Sequence, residues 1–121
     1  MKRITTTIVI LLITLSASSQ TEIKLEDINK HIGDSVKICA KVYGGIYLER
    51  SKGTPTFLNV GGNYPNSPLT IVIWEDVRKS FTEKPEEFYK EKNVCVTGKL
   101  ELYNNKPQIV LKNKDLISAQ E

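Results

Sequence analysis

The chain has 121 residues, 40% of them hydrophobic and 26% charged, which makes one domain with a single small core the natural expectation. That content excludes the low-hydrophobicity, high-charge signature of disorder everywhere except the last residues, 118–121. The formal charge is +3, with 17 basic and 14 acidic side chains, and it shrinks if the first residues are removed: without Lys2 and Arg3, 15 basic face 14 acidic, a net +1. Such a balance argues against binding nucleic acid through its backbone alone, although a local basic patch survives a neutral total.

The chain opens on a targeting segment. Met1-Lys2-Arg3 is a short positive start, residues 4–15 form an apolar run, and Ser16-Ala17-Ser18-Ser19 supplies the small side chains that a signal peptidase accepts. Cleavage after Ser19 divides the chain into a signal peptide, 1–19, and one domain, 20–121. The apolar run is shorter than the ~20 residues of a spanning helix, and no stop-transfer charges follow. No cysteine stands at a lipid-attachment position. The expected product is therefore soluble and exported, periplasmic or secreted, with no membrane span after cleavage.

Residues 21–33 read as an extended entry and a short helix, with Leu25, Ile28 and Ile32 at helical spacing, Glu26 and Asp27 in the first turn and Gly33 as the stop. His31, the single histidine, falls inside it as a surface or cap residue. The next run, 36–50, is the longest strand: Val36, Ile38, Ala40 and Val42 share one face, and Lys37, Cys39, Lys41 and Tyr43 the other. Gly44-Gly45 interrupts it where a bulge or sharp bend is expected, and alternation resumes through Ile46, Tyr47 and Leu48. A long bent strand of this kind can serve two sheet halves at the corner of a closed barrel.

Residues 51–55 are a turn, 56–60 a strand, 61–68 a loop dense in turn formers and 69–74 a third strand. From 77 to 89 the pattern turns helical, and Pro85 divides it. Residues 93–111 then form a β-hairpin: Val94, Val96, Gly98, Leu100 and Leu102 lie on one face, Asn104-Asn105 tolerates the positive φ of a tight turn, and residues 108–111 return with Pro107 at the first position of that strand. Residues 115–117 are a short tail.

Cys39 and Cys95 each lie in a predicted strand, opposite its core face. If those strands are antiparallel neighbours, a disulfide ties the sheet; the alternative is two buried thiols that only pack. Two distant cysteines and one histidine lack the close spacing of structural zinc, so no metal and no cofactor is expected.

The order is short helix, three strands, helix, two strands. A mainly β chain of this kind has the connectivity of a five-stranded OB-fold Greek-key barrel with a short N-terminal helix and a helix between strands 3 and 4. The stretch GKLELYNNKPQIVL resembles the last two strands of OB-fold nucleic-acid-binding domains of the tRNA-anti-like kind, and KGTPTFLNVGGNYPNSPLTIVIW is similar to the second and third strands of OB domains found alone in exported bacterial proteins. The resemblance implies a module that binds single-stranded DNA, RNA or oligonucleotides outside the cytoplasm.

No nucleophile elbow, H-E-x-x-H or phosphate-binding glycine loop is present, and the acid pairs Glu75-Asp76 and Glu86-Glu87 read as helix-dipole complements or solvation, so the chain is not expected to be an enzyme. Barrels of this kind take ligands on the second and third strands and adjoining loops. The candidates there are Tyr43, Tyr47, Arg50, Lys52, Phe57, Asn59, Tyr64 and Trp74, aromatic rings for stacking bases and cations for phosphates. Phe57 and Trp74 have a structural explanation as well, filling the barrel and seating the helix, whereas Tyr47, Arg50 and Lys52 suit an exposed face. The second functional reading is an envelope domain that uses the same face for a protein or glycan with little electrostatic contribution.

Overall fold

A computed structural model describes residues 21–120. The expected signal peptide, 1–19, lies outside the described residues. The fold is mainly β, a mixed sheet of seven strands: β1 Thr21–Ile23, β2 Ser35–Tyr47, β3 Thr56–Val60, β4 Leu69–Ile73, β5 Asn93–Tyr103, β6 Lys106–Val110 and β7 Ile117–Ala119.

β2 decides the architecture because it changes partner along its length. Residues 35–41 pair antiparallel with β5, and from Val42 onward the strand pairs with β3. The change is made at Tyr43, the extra residue of a bulge, since Val42 faces Val60 while Gly44 already faces Asn59. Gly45 follows on the inward side, where a Cβ would strike the carbonyl oxygen of Phe57 and crowd Leu58. β3 then pairs antiparallel with β4, β4 parallel with β6, and β6 antiparallel with β5, which returns to β2. Five strands are thus a closed ring, consistent with an OB-like barrel.

The ring encloses one core. Val36, Ile38 and Val42 from β2 meet Leu58 and Val60, Leu69, Ile71 and Ile73, Val94, Val96 and Leu100, and Ile109, all without solvent exposure. Burying each such side chain contributes roughly 1.5–3 kcal/mol. Leu102 departs from the expected face: its parity is inward, but it lies past the end of the barrel and is exposed. Asn104 and Asn105 both take positive φ, 49° and 65°, and set the register of the hairpin. Pro107 is the second residue of β6 rather than the first. β4 pairs with β6 only from Gln108 onward, so the missing N–H falls where that ladder has not begun.

Three expectations need correction. The strand count is seven, because β1 adds in parallel beside β2 and β7 antiparallel beside β5; residues 115–117, expected as a tail, close a 3-10 turn, Lys114–Leu116, and open β7, with Ile117 buried. The N-terminal helix is a 3-10 helix, Leu25–Lys30, which seats Ile28 in the core. The helical stretch between the third and fourth ring strands is two single turns, α1 Glu75–Arg78 and α2 Pro85–Phe88, with Pro85 opening the second.

Cys39 and Cys95 face each other across β2 and β5 and are bridged, with Cα atoms 4.0 Å apart. The bond spans 56 residues and crosses the seam that closes the ring. In the chain-entropy model a loop of that length is worth about 4 kcal/mol. The double variant Cys39→Ser/Cys95→Ser should lower unfolding free energy by up to that amount, read as a drop in the guanidinium midpoint under non-reducing conditions; an unchanged midpoint would mean the seam is held by packing alone.

Candidate functional site

Strand register sorts the outer wall of the barrel into rows. Ile46 of β2, Phe57 of β3, Val72 of β4 and Val110 of β6 are successive cross-strand partners, and all point away from the core. Val72 is buried although it faces outward, flanked by Phe57 and Val110. Beside this apolar row runs a polar one: Asn59 opposite Thr70, Thr70 opposite Gln108 and Gln108 opposite Glu101 of β5. Beyond it Lys106 faces Tyr103 across the hairpin, and the Lys106 ammonium lies 5.9 Å from the centre of the Tyr64 ring, contributed by the loop between β3 and β4.

Gly45, Ile46, Leu48, Phe57, Asn59 and Tyr64 line a groove of about 470 Å³ on this wall. Its composition is unusual for a surface. Ile46 is 53% exposed and Tyr64 77%, so two large apolar side chains stand open to water across a half-buried phenyl ring. An apolar floor, an upright tyrosine, amide edges and a nearby ammonium form a surface that can stack a planar ring, read its edge and neutralise an attached anion.

The candidates divide accordingly. Phe57, Asn59 and Tyr64 are brought together at the groove. Phe57 does not fill the barrel; it points outward, and Leu58 and Val60 are the apolar residues of β3 that fill it. Arg50 and Lys52 are exposed on the loop that begins with Leu48. Tyr43 lies apart at the bulge, with the Lys41 ammonium 5.0 Å from its ring and Lys41 itself bound to Glu91 at 3.0 Å. Trp74 stands just before α1 and packs over Gly53, where a Cβ would come within 2.7 Å of the indole. It fixes the loop that carries Arg50 and Lys52.

Tyr47 does not present an open ring. The Arg78 guanidinium covers it at 3.6 Å from the ring centre, and the phenol donates to Glu75 Oε2 at 2.7 Å. Arg78 Nη1 also donates to Glu86 Oε1 at 2.6 Å and to the buried Thr56 Oγ1 at 2.7 Å. With side chains only 11% and 13% exposed, Arg78 and Glu86 are a shielded ion pair that ties α1 and α2 to one mouth of the barrel. Burial opposes the charge on Arg78, but the hydrogen bond and charge of Glu86 outweigh it and its pKa stands above the ordinary guanidinium value. The bond to Glu75, helped by burial, raises the Tyr47 phenol, and burial alone raises Tyr89.

Ile46, Leu48, Tyr103, Lys106 and Gln108 were not singled out from the sequence. The signal for the hairpin residues was present: a two-residue Asn-Asn turn puts Tyr103 opposite Lys106 and Glu101 opposite Gln108. Among the described residues no three His, Cys, Asp or Glu side chains cluster as metal ligands, and no helix is long and apolar enough to cross a membrane. His31 hydrogen-bonds Asp34 at 3.2 Å and does not line the groove.

No family model matches the sequence, and no curated protein matches it. Solved structures do share the fold. An aspartyl-tRNA synthetase from Entamoeba histolytica superposes with a TM-score of 0.58 at 16% identity, over 85% of this chain and 22% of that one. An asparaginyl-tRNA synthetase from Pyrococcus horikoshii superposes with a TM-score of 0.54 at 14% identity, over 82% of this chain and 23% of that one. Ring order and likeness agree on an OB-like barrel. The chain spans less than a quarter of the length of either synthetase, and at these identities the likeness is one of fold.

Two outcomes follow from the Tyr47 cluster. Arg78→Ala leaves Glu86 shielded and unpaired, and should cost roughly 3–5 kcal/mol in chemical denaturation. The raised tyrosines favour the folded state while they are neutral, so their contribution is complete below the ordinary phenol pKa of about 10 and is lost as pH rises through the higher folded values. The melting temperature should therefore fall above about pH 10, and Tyr47→Phe should flatten that alkaline limb; an identical limb in the variant would show that Tyr47 does not titrate differently on folding.

Proposed function

We propose that this chain is an exported, non-enzymatic module that binds single-stranded nucleic acid across the outer wall formed by β2, β3, β4 and β6. The observation that carries the reading is the groove itself, with Ile46 and Tyr64 exposed and Phe57 half-buried around it and the Lys106 ammonium beside the Tyr64 ring. Unpaired bases offer the flat apolar faces that such a surface lacks, and their phosphates match the cation at its edge.

The fold neighbours support this reading, since both are synthetases named for the tRNA they act on and the shared portion is a minor part of each. Binding without catalysis is in keeping with a groove whose polar groups are amides and hydroxyls. Export rests on the leader-like start of the sequence, and the Cys39–Cys95 bridge is the kind of bond that persists in an oxidising compartment.

The charges near the face are few, Lys106 with Arg50 and Lys52 on the neighbouring loop, so salt should weaken binding moderately. About three phosphate contacts give a slope of roughly −2 in log affinity against log salt. Titrating a labelled single strand by fluorescence anisotropy, across salt, tests this directly. Tyr64→Ala and Phe57→Ala should each cost about 1–3 kcal/mol, and Lys106→Ala should shallow the salt slope by somewhat less than one unit. No binding of DNA or RNA at low salt would overturn the proposal and turn the search to an envelope protein or glycan as the partner of this wall.

A further inference from the structure

The two sulfurs of the Cys39–Cys95 bridge are not equally open. On this side of the barrel the strands lie in the order β1, β2, β5 and β7, so the bridge has β1 on its Cys39 side and β7 on its Cys95 side. β7 passes directly beside Cys95, with Ser118 opposite it, and Cys95 is only 7% exposed. β1 stops short. Its last pair is Ile23 with Ile38, one residue before Cys39, and the chain then turns into the 3-10 helix Leu25–Lys30. Beside Cys39, which is exposed, this leaves a cleft of about 500 Å³ lined by Cys39 and residues 22–26.

We infer that the bridge is a thiol-exchange site entered from this cleft, with Cys39 as the sulfur attacked and Cys95 as the sulfur released. Exchange here does not depend on what the binding wall holds. A thiolate displaces along the S–S axis, from the side opposite the leaving sulfur. For Cys39 that approach comes from the β1 side, through the cleft; for Cys95 it comes from the β7 side, where the chain is in the way. The reactant is a small thiol or the leading cysteine of a reduced dithiol. Its thiolate bonds to Cys39 Sγ as the Cys39–Cys95 bond breaks, and the Cys95 sulfur leaves with the electron pair and takes a proton from water. The second thiolate of a dithiol then attacks its own sulfur in the mixed disulfide and frees Cys39, so the bridge gains two electrons and two protons while the dithiol becomes a disulfide. Charge at the mouth is mixed. Glu22 Oε1 lies 3.4 Å from Cys39 Sγ, but that side chain is 64% exposed with the Lys37 ammonium 4.0 Å away, and Lys24 and Glu26 also line the cleft. Neither sulfur is favoured as the leaving group, since Cys95 would leave from a covered position and Cys39 beside a carboxylate, and access therefore decides. β2 and β5 remain paired over residues 35–41 and 93–99, so the folded chain can carry the mixed disulfide.

The test exposes the bridged protein briefly to excess glutathione, quenches with N-ethylmaleimide and maps both cysteines by peptide mass spectrometry. In the folded protein, glutathione on Cys39 with maleimide on Cys95 should outnumber the reverse pattern by about tenfold or more. In guanidinium, where neither β1 nor β7 shapes the approach, the two patterns should become comparable. Equal labelling or a preference for Cys95 in the folded protein would overturn the inference. So would the same bias in the unfolded chain, which would place its cause in the neighbouring residues rather than in the cleft, or a folded protein that forms no mixed disulfide under conditions in which the unfolded chain does.

Discussion

The pairing of β2 with β5 is the constraint on which the rest depends. Without it the other pairings give an open sheet, with β5 reached only through β6 and a row of backbone groups unpaired at either side. With it, Val36 and Ile38 meet Gly98 and Val96 across the seam and the ring seals over one core. Register is strict here, since a slip of one residue would turn the inward valines and isoleucines to solvent and the lysines inward. The disulfide holds the same register covalently, because Cys39 and Cys95 are opposite only in this alignment. Closure also creates the outer wall: β3, β4 and β6 present a continuous surface because both of their flanks are occupied by β2 and β5.

Much of this was legible from residue pattern, and the parts that were not have definite causes. The bulge beside Gly44-Gly45, whose extra residue is Tyr43, the limits of β3 and the Asn104-Asn105 turn are local features, each set by backbone freedom or period within a few residues. β1 and β7 have three residues each, too few for any period to register, and their pairing is decided by the edges that β2 and β5 leave open. The segment TFLNV has large apolar side chains on both parities, so its alternation could not say whether Phe57 or Leu58 faces inward. The answer comes from the neighbours: Gly45 stands opposite Leu58, and the Leu58 side chain comes within 3.0 Å of where a Cβ at Gly45 would sit.

The candidate site was harder to read for a related reason. Its members come from β2, β3, β6 and the loop before β4, and only strand register brings them together. Phe57, Asn59 and Tyr64 lie close in sequence and were found from composition. Lys106 is distant and meets Tyr64 only because β4 and β6 run side by side. Tyr47 shows the opposite case. It has the composition of a stacking residue, yet its partner Arg78 lies in α1, and together with Glu75, Glu86 and Thr56 it joins the short helices to the barrel mouth. Two single-turn helices have little stability of their own, so a shielded ion pair and a covered aromatic ring supply what helix length does not.

Charge and shape on the wall point to one division of energy. On the proposed reading, a chain with few cations near this wall cannot draw most of its affinity from counterion release, so the larger share would come from covering the exposed Ile46 and Tyr64 and the half-buried Phe57 with flat rings. Stacking alone is indifferent to sequence, because every base has a π face. Any selectivity on the proposed reading would have to come from edges, and the polar groups able to meet them lie in the row next to the apolar one, at the spacing of one residue pair along each strand. On the proposed reading Glu101 bears on the path of a strand, since a carboxylate in that row would disfavour a phosphate there and leave the backbone to the Lys106 side. An acid in the polar row with an ammonium beside it would therefore orient a strand on the proposed reading, so a weakly charged face can set direction without being strongly adhesive.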